Sequence, residues 1–138
     1  MIKQKNTLYI VFLSTILLFS CSKFEEGPKI SLLSKNKRIS RIWKVEYSIN
    51  LSDGVEHSAD FEGWTFEFSK DGTYNQTIIY GESQTIITGN WEFIGDNQIR
   101  LNFNIAGEEQ IDFYTILRLS KKELWLKDEK EEIHYYSE

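Results

Sequence analysis

Residues 64–74 read Trp64-Thr-Phe-Glu-Phe-Ser-Lys-Asp-Gly-Thr-Tyr74. Trp64, Phe66 and Phe68 alternate with Thr65, Glu67 and Ser69, which places three aromatic rings on one face of a strand and three polar side chains on the other. Asp71-Gly72 then supplies the positive φ of a tight turn at little steric cost, and a second strand leaves through Thr73 and Tyr74. A ribbon with one buried and one solvated face belongs to an antiparallel sheet.

The same period continues on both sides. Trp43, Val45, Tyr47, Ile49 and Leu51 alternate with Lys44, Glu46, Ser48 and Asn50, and Ile99, Leu101, Phe103 and Ile105 alternate with Gln98, Arg100, Asn102 and Asn104. Turn signals punctuate the chain at Asp53-Gly54, Gly81, Gly95-Asp96-Asn97, Gly107 and Lys127-Asp128. Strands are therefore expected at 42–51, 62–69, 73–80, 84–94, 97–105, 110–120, 123–127 and 131–136. Past residue 42 no segment keeps a 3.6-residue spacing, which argues against crossover helices and a parallel sheet. Eight consecutive strands must bury one face and hide two edges. Closure into an up-and-down barrel does both. One short helix is expected just before the first strand, at Ser34–Arg41, with Lys35, Lys37, Arg38 and Arg41 on its solvated side and Ile39 against a barrel end.

Composition agrees with one packed domain. The chain has 138 residues, 41% of them apolar and 14% aromatic, with a mean hydropathy of -0.40. These values exclude intrinsic disorder and a multi-span helical membrane protein. Sixteen basic against twenty-one acidic side chains give a net charge of -5, which argues against a nucleic-acid partner.

The N-terminus has a different logic. Lys3 and Lys5 precede the apolar run Leu8–Phe19, which ends in Leu18-Phe19-Ser20-Cys21. Twelve helical residues cover about 18 Å of a hydrocarbon core about 30 Å thick, too little for a span, so the segment reads as a secretory signal. The only cysteine of the chain stands where the run stops. The arrangement resembles the bacterial lipoprotein signal, and this resemblance implies cleavage before Cys21, lipidation of its thiol and a membrane anchor through acyl chains such as palmitate. Residues 1–20 are thus expected to be the leader, 21–33 the anchor and tether, and 34–138 the barrel domain. Ser22 after the cysteine implies the outer membrane, and Lys23-Phe24-Glu25-Glu26 resembles a short acidic surface-export signal of Bacteroidota lipoproteins.

A family resemblance rests on four stretches. The helix leading into Trp43, the segment Trp64–Tyr74, the segment Gly89-Asn-Trp91-Glu-Phe93 and the segment Leu117-Arg-Leu-Ser-Lys-Lys-Glu-Leu124-Trp-Leu126 together resemble the lipocalin-like lipoproteins of Bacteroidota. The likeness covers residues 34–136 and implies a calycin-type small barrel. In place of the Gly-X-Trp of classical lipocalins the chain has Arg41-Ile42-Trp43, so no classical carrier ligand transfers with it.

Chemistry is sparse. The two histidines, His57 and His134, lie far apart in sequence and are read as surface or rim residues; no metal and no cofactor is expected. Gly81-Glu82-Ser83-Gln84-Thr85 lacks the closing glycine of a nucleophile elbow. Glu67 and Glu92 fall on the outward phase, and the acidic turn Asp128, Glu129, Glu131 and Glu132 reads as solvated. With no convergent titratable set, an enzyme is not expected.

Aromatic residues are the remaining clue. Trp43, Tyr47, Trp64, Phe66, Phe68, Trp91, Phe93 and Phe103 follow the inward phase, whereas Tyr74, Tyr80, Tyr114, Trp125, Tyr135 and Tyr136 break it. An eight-strand barrel is filled by its own side chains or holds one small ligand. The expected function is non-catalytic binding of a small hydrophobic ligand at the open end, with Trp64, Tyr74, Tyr80, Trp91, Tyr114 and Trp125 as candidate lining residues. The alternative is a filled barrel that docks another protein of the cell envelope.

Overall fold

The computed structural model describes residues 34–138; the leader, Cys21 and the tether lie outside the described residues. One short helix, α1 (Lys35–Ile39), leads into β1 (Ile42–Asn50), β2 (Thr65–Phe68), β3 (Thr73–Tyr80), β4 (Ser83–Ile94), β5 (Gln98–Ile105), β6 (Glu108–Leu119), β7 (Glu123–Lys127) and β8 (Glu131–Tyr136). Each strand pairs antiparallel with the next and β8 pairs back onto β1, giving the closed eight-strand barrel that the alternation predicts.

Two departures from the expected pattern shape the molecule. First, Tyr47, Ile49 and Leu51 do not continue the inward face of Trp43. The register on β8 slips between Val45, opposite Tyr135, and Tyr47, opposite His134. This bulge at Glu46 inverts the phase, so that buried Ser48 comes to lie opposite buried Ile133 and Asn50 opposite Glu131. Tyr47 packs its ring on His134 instead, at 5.2 Å between centroids.

Second, the Asp53-Gly54 turn does not lead directly into β2. The β1–β2 connection folds back along β1: Asn50 N–H donates to Val55 O at 2.9 Å and His57 N–H to Ser48 O at 2.8 Å. The segment closes with a 3-10 turn at Ser58–Phe61, and Ser58 Oγ accepts from Ser48 N–H at 2.9 Å. β2 itself pairs with β1 only at Ile42–Glu67 and Trp43–Phe66. The loop thus substitutes for a strand beside the upper half of β1. Strand β2 begins at Thr65 and not at 62, because Trp64 N–H donates back to Phe61 O at 3.0 Å and Gly63 takes a φ of 78°.

The end beside α1 is sealed. Ser34 caps the helix, its Oγ accepting from Lys37 N–H. Trp43 Nε1 donates to Ile39 O at 2.8 Å, and Trp43 and Ile39 are both fully buried. Lys35 Nζ reaches Asp96 O on the β4–β5 turn at 2.9 Å and lies 4.5 Å above the Phe93 ring. Arg38 is buried, not solvated as the sequence suggests: its Nη1 donates to Leu119 O at 2.7 Å, so α1 is tied to the end of β6 by a charged group. Above this plug Phe66, Phe68, Trp91, Ile99, Leu101, Ile116, Leu119, Leu124, Leu126 and Ile133 form a continuous buried core. Glu67 and Glu92 keep the outward phase, and Glu92 pairs with Arg100 across the β4–β5 ladder.

Within this core Trp91 packs edge-on against Phe68 at 5.7 Å and Phe93 at 5.3 Å, and its Nε1 donates to Ser69 O at 2.9 Å. Trp91→Ala removes both ring contacts and leaves a cavity, so it is expected to lower the unfolding free energy by about 3–5 kcal/mol, measured by urea denaturation. A loss below about 1 kcal/mol, the scale of a surface substitution, would contradict the placement of this ring in the core.

Candidate functional site

The barrel is not equally tight along its length. β7 pairs with β6 only from Thr115 to Leu119, so among the described residues Glu108–Tyr114 has β5 as its single strand partner. Likewise β5 pairs with β4 only from Gly89 to Ile94, and Ser83–Thr88 has only β3 beside it. The β3–β4 and β5–β6 hairpins therefore project past the closed part of the wall at the end away from α1. Gly89 marks the point of departure. A Cβ there would come within 2.2 Å of Asn102 O and 2.7 Å of Phe103 Cβ, so only glycine lets the two strands approach before they part.

Burial follows this geometry. Trp43, Ile99, Leu119 and Leu124 in the lower half are fully buried, whereas the upper interior positions Gln76, Ile78, Ile87, Phe103, Gln110, Asp112 and Tyr114 are each only partly covered. The upper part of β6 also inverts the usual order of polar and apolar residues. Ile111 and Phe113 are exposed on the outer wall, at 49% and 53%, while Asp112 and Tyr114 turn inward. Tyr114 packs against the core, whereas turning the Asp112 carboxylate inward costs free energy and gains none from burial.

What the polar phase meets inside is a ring of tyrosines. Tyr74 and Tyr135 are buried, Tyr114 is partly so, and the three interact electrostatically with one another. Tyr74 Oη donates to Gln76 Oε1 at 3.2 Å, and Tyr114 Oη donates to Glu131 Oε1 at 3.3 Å. Burial pushes all three phenol groups well above their ordinary value, with Asp112 adding to the shift of Tyr74 and Glu131 adding to those of Tyr114 and Tyr135, so they stay neutral hydroxyls. Glu131 is raised as well, first by burial and then by the charge of Asp128; its hydrogen bond from Tyr114 and nearby Lys130 pull the other way. Asp112 is raised by burial and by Asp128.

Two depressions lie beside these residues, and neither is bordered by Tyr74, Tyr114 or Tyr135. A depression of about 360 Å³ at the rim is bordered by Ser48, Asn50, His57, Asp60, Phe61, Lys130 and Glu131. A second, of about 550 Å³, lies where β6 parts from the β7–β8 turn and is lined by Ile111, Asp112, Phe113 and the turn residues Asp128, Glu129 and Lys130. Both are within the range of small-ligand sites. Among the described residues no three His, Cys, Asp or Glu converge on a metal position.

The six residues singled out from the sequence fall in four places. Tyr74 and Tyr114 stand together in the upper interior chamber. Trp64 and Tyr80 meet at the rim, edge-on at 5.7 Å, with Trp64 Nε1 donating to Ile79 O at 3.2 Å and Phe61 packing on the other side of Trp64 at 5.2 Å. Trp91 lies deep in the sealed core. Trp125 lies on the outer wall, stacked on His134 at 4.0 Å and 7°, with Arg118 across its other neighbourhood at 5.2 Å. Cys21 lies outside the described residues. Glu131, Asp112, Tyr135 and Gln76 belong to the chamber yet were not expected there. Glu131 in particular is not part of a solvated turn. The signal was present, because Glu131 and Tyr135 share the period-two face of the apolar Ile133.

No protein-family model matches this sequence, and no curated protein matches it either. Solved structures do. A lipocalin-like protein from Bacteroides uniformis ATCC 8492 superposes with a TM-score of 0.61 at 15% identity, over 73% of this chain and 99% of its own. An uncharacterized protein from Bacteroides eggerthii DSM 20697 superposes with a TM-score of 0.58 at 14% identity, over 72% of this chain and 99% of its own. At such identities the likeness establishes the fold, and the fold is a lipocalin-like barrel.

Proposed function

We propose that this chain is a lipid-anchored protein of the outer membrane whose barrel binds one small, largely apolar ligand at its open end and catalyses no reaction. The observation that carries the reading is the gradient inside the barrel, from side chains that are fully buried beside α1 to partly covered ones between the projecting hairpins. A barrel built only as a packed core has no reason to leave Ile78, Ile87 and Phe103 incompletely covered while turning Asp112 inward. The described domain starts at Ser34 beside the sealed end, so a tether through residues 22–33 would hold that end toward the lipid and present the open end away from it. In this reading Trp64, Tyr80 and Phe61 border the entrance, and Tyr74, Tyr114, Tyr135 and Glu131 form the floor.

One observation favours a second reading. Ile79, Tyr80, Ile86, Ile105, Ile111 and Phe113 are exposed on the projecting hairpins, and apolar surface of this kind suits docking to another envelope protein.

Native mass spectrometry of the purified chain is expected to show a bound molecule of small mass that dissociates on denaturation. Ile87→Trp, which fills the upper interior, is expected to abolish that mass while circular dichroism retains the strand signal. A chain that carries no small molecule but retains a protein would favour docking. For the anchor, labelled palmitate is expected to enter the wild-type chain in its native host and to be lost in Cys21→Ser. Labelling that survives this substitution would refute the attachment.

Stability provides a separate check on Glu131. Because the folded state raises its pKa, the native chain binds a proton that the unfolded chain releases. Its contribution to stability is therefore complete below the ordinary carboxylate range and is lost as pH rises through the raised native value. Glu131→Gln is expected to raise the thermal midpoint at neutral pH and to leave it nearly unchanged at about pH 4, where the unfolded carboxyl is mostly protonated. A constant offset between the two curves across this range would contradict burial of the charge.

A further inference from the structure

Charge is divided unequally between the two ends of the barrel. The segments gathered at the sealed end, residues 34–41, 69–72, 95–97, 120–122 and 137–138, carry seven basic against three acidic side chains. The connections at the open end, residues 51–64, 81–82, 106–107 and 128–130, carry seven acidic against one basic. Eight strand residues rise about 26 Å, and at the usual barrel tilt this sets the two ends about 20 Å apart, more than twice the Debye length of about 8 Å at physiological salt. A partner at the sealed end therefore meets a basic surface, although the chain as a whole is acidic.

Lys35 and Arg38 donate to backbone carbonyls of Asp96 and Leu119. Among the described residues the other five cations of this end, Lys37, Arg41, Lys70, Lys121 and Lys122, make no ion pair. Arg41 stands at their centre. Its Nε is shielded from solvent and has no hydrogen-bond partner among the described residues, whereas buried polar atoms ordinarily find one. The side chain borders two depressions beside the start of β1, one of about 430 Å³ with Ser69, Lys70 and Asp71 and one of about 420 Å³ with Lys44, Tyr136 and Glu138. Of the acids there, Glu138 is paired with Lys44 at 2.6 Å, Asp71 accepts from Thr73 N–H at 2.9 Å, and Glu67 borders the first depression from the outward phase of β2. Ser137 N–H donates to Lys122 O at 3.0 Å, which brings the β6–β7 turn to the same place. Amid these cations Ile42 and Tyr136 are 54% and 37% exposed.

We propose that this face is a membrane-contact surface for anionic lipid headgroups, with Arg41, Lys70, Lys121 and Lys122 on phosphate groups and Ile42 and Tyr136 at the boundary between headgroups and acyl chains. Basic side chains gain from the negative surface potential of such a leaflet, and an exposed aliphatic residue and a tyrosine beside them add apolar area. The course of the chain argues for a lipid surface over a soluble polyanion. Ser34, where the described domain begins, stands at this end. The twelve residues from 22 to 33 reach about 40 Å at most when extended, so a chain held at Cys21 keeps the basic face within reach of the leaflet. The inference rests on the anchored reading for this proximity alone and is independent of any ligand in the barrel. Contact of this kind sets the barrel upright, with the acidic open end away from the lipid.

The test is lysine acylation by an uncharged reagent, read by mass spectrometry on the full chain mixed with vesicles, with Lys130 at the open end as internal control. On vesicles of phosphatidylcholine containing about one third phosphatidylglycerol, Lys70, Lys121 and Lys122 are expected to react several-fold more slowly than on pure phosphatidylcholine, while Lys130 is unchanged. Salt at about 0.5 M, where the Debye length falls below about 5 Å, is expected to remove the difference. Arg41→Gln is expected to reduce the protection of the three lysines, with Lys122→Gln, read at Lys70 and Lys121, as the second variant should the first fail to fold. Equal reactivity on the two lipids would overturn the inference, as would protection that reaches Lys130 equally, survives high salt or ignores both substitutions. Flotation with the anionic vesicles alone, with the lysines protected, would count against the anchor and uphold the face. Flotation with both vesicles and no difference at the lysines would uphold the anchor and overturn the face, and flotation with neither would overturn both.

Discussion

The pairing of β1 with β8 is the contact on which the rest of the structure depends. From Lys44 opposite Tyr136 to Asn50 opposite Glu131, it joins the first strand to the last and leaves the lower barrel without an edge. It is also a long-range contact, so its loop-closure entropy must be offset by the core that closure creates. Because β1 bulges at Glu46, the same pairing seals the barrel below with Val45 and Tyr135 and presents Ser48 and Asn50 to the lumen above. One extra residue thus separates a tightly packed apolar half from a looser, more polar one.

That separation positions the candidate site. Below it, α1 closes the end through the indole of Trp43 and the guanidinium of Arg38, and the core is apolar. Above it, hairpins longer than their neighbours leave the wall, and the interior phase of β6 and β8 becomes polar. Buried acids are costly for stability, since burial disfavours their charged form. The hydrogen bond from the Tyr114 hydroxyl reduces that cost for Glu131 without removing it.

Most of the barrel was legible in the sequence because period-two alternation and Asp-Gly or Gly turns are local signals. The strands at 73–80, 123–127 and 131–136 are found at the expected residues. What was not legible was non-local. The bulge at Glu46 arises from register on β8, a partner far along the chain, so Tyr47, Ile49 and Leu51 read as inward when they are not. The loop that replaces a strand beside β1 is held by backbone bonds and by Ser58, which no hydrophobic pattern reports. The site was half visible. Aromatic residues out of phase pointed to Tyr74 and Tyr114, but Glu131 and Asp112 look like ordinary surface acids until barrel closure turns them inward.

Amide hydrogen exchange resolved by NMR measures this division most directly. The account predicts slow exchange for amides in the ladders around Trp43, Trp91, Ile99 and Ile133, and exchange faster by orders of magnitude for those amides of 83–88 and 108–114 that lack a strand on one side. Equal protection along the full length of β4 and β6 would mean that the barrel is sealed from end to end, and would contradict the open chamber on which the functional reading stands.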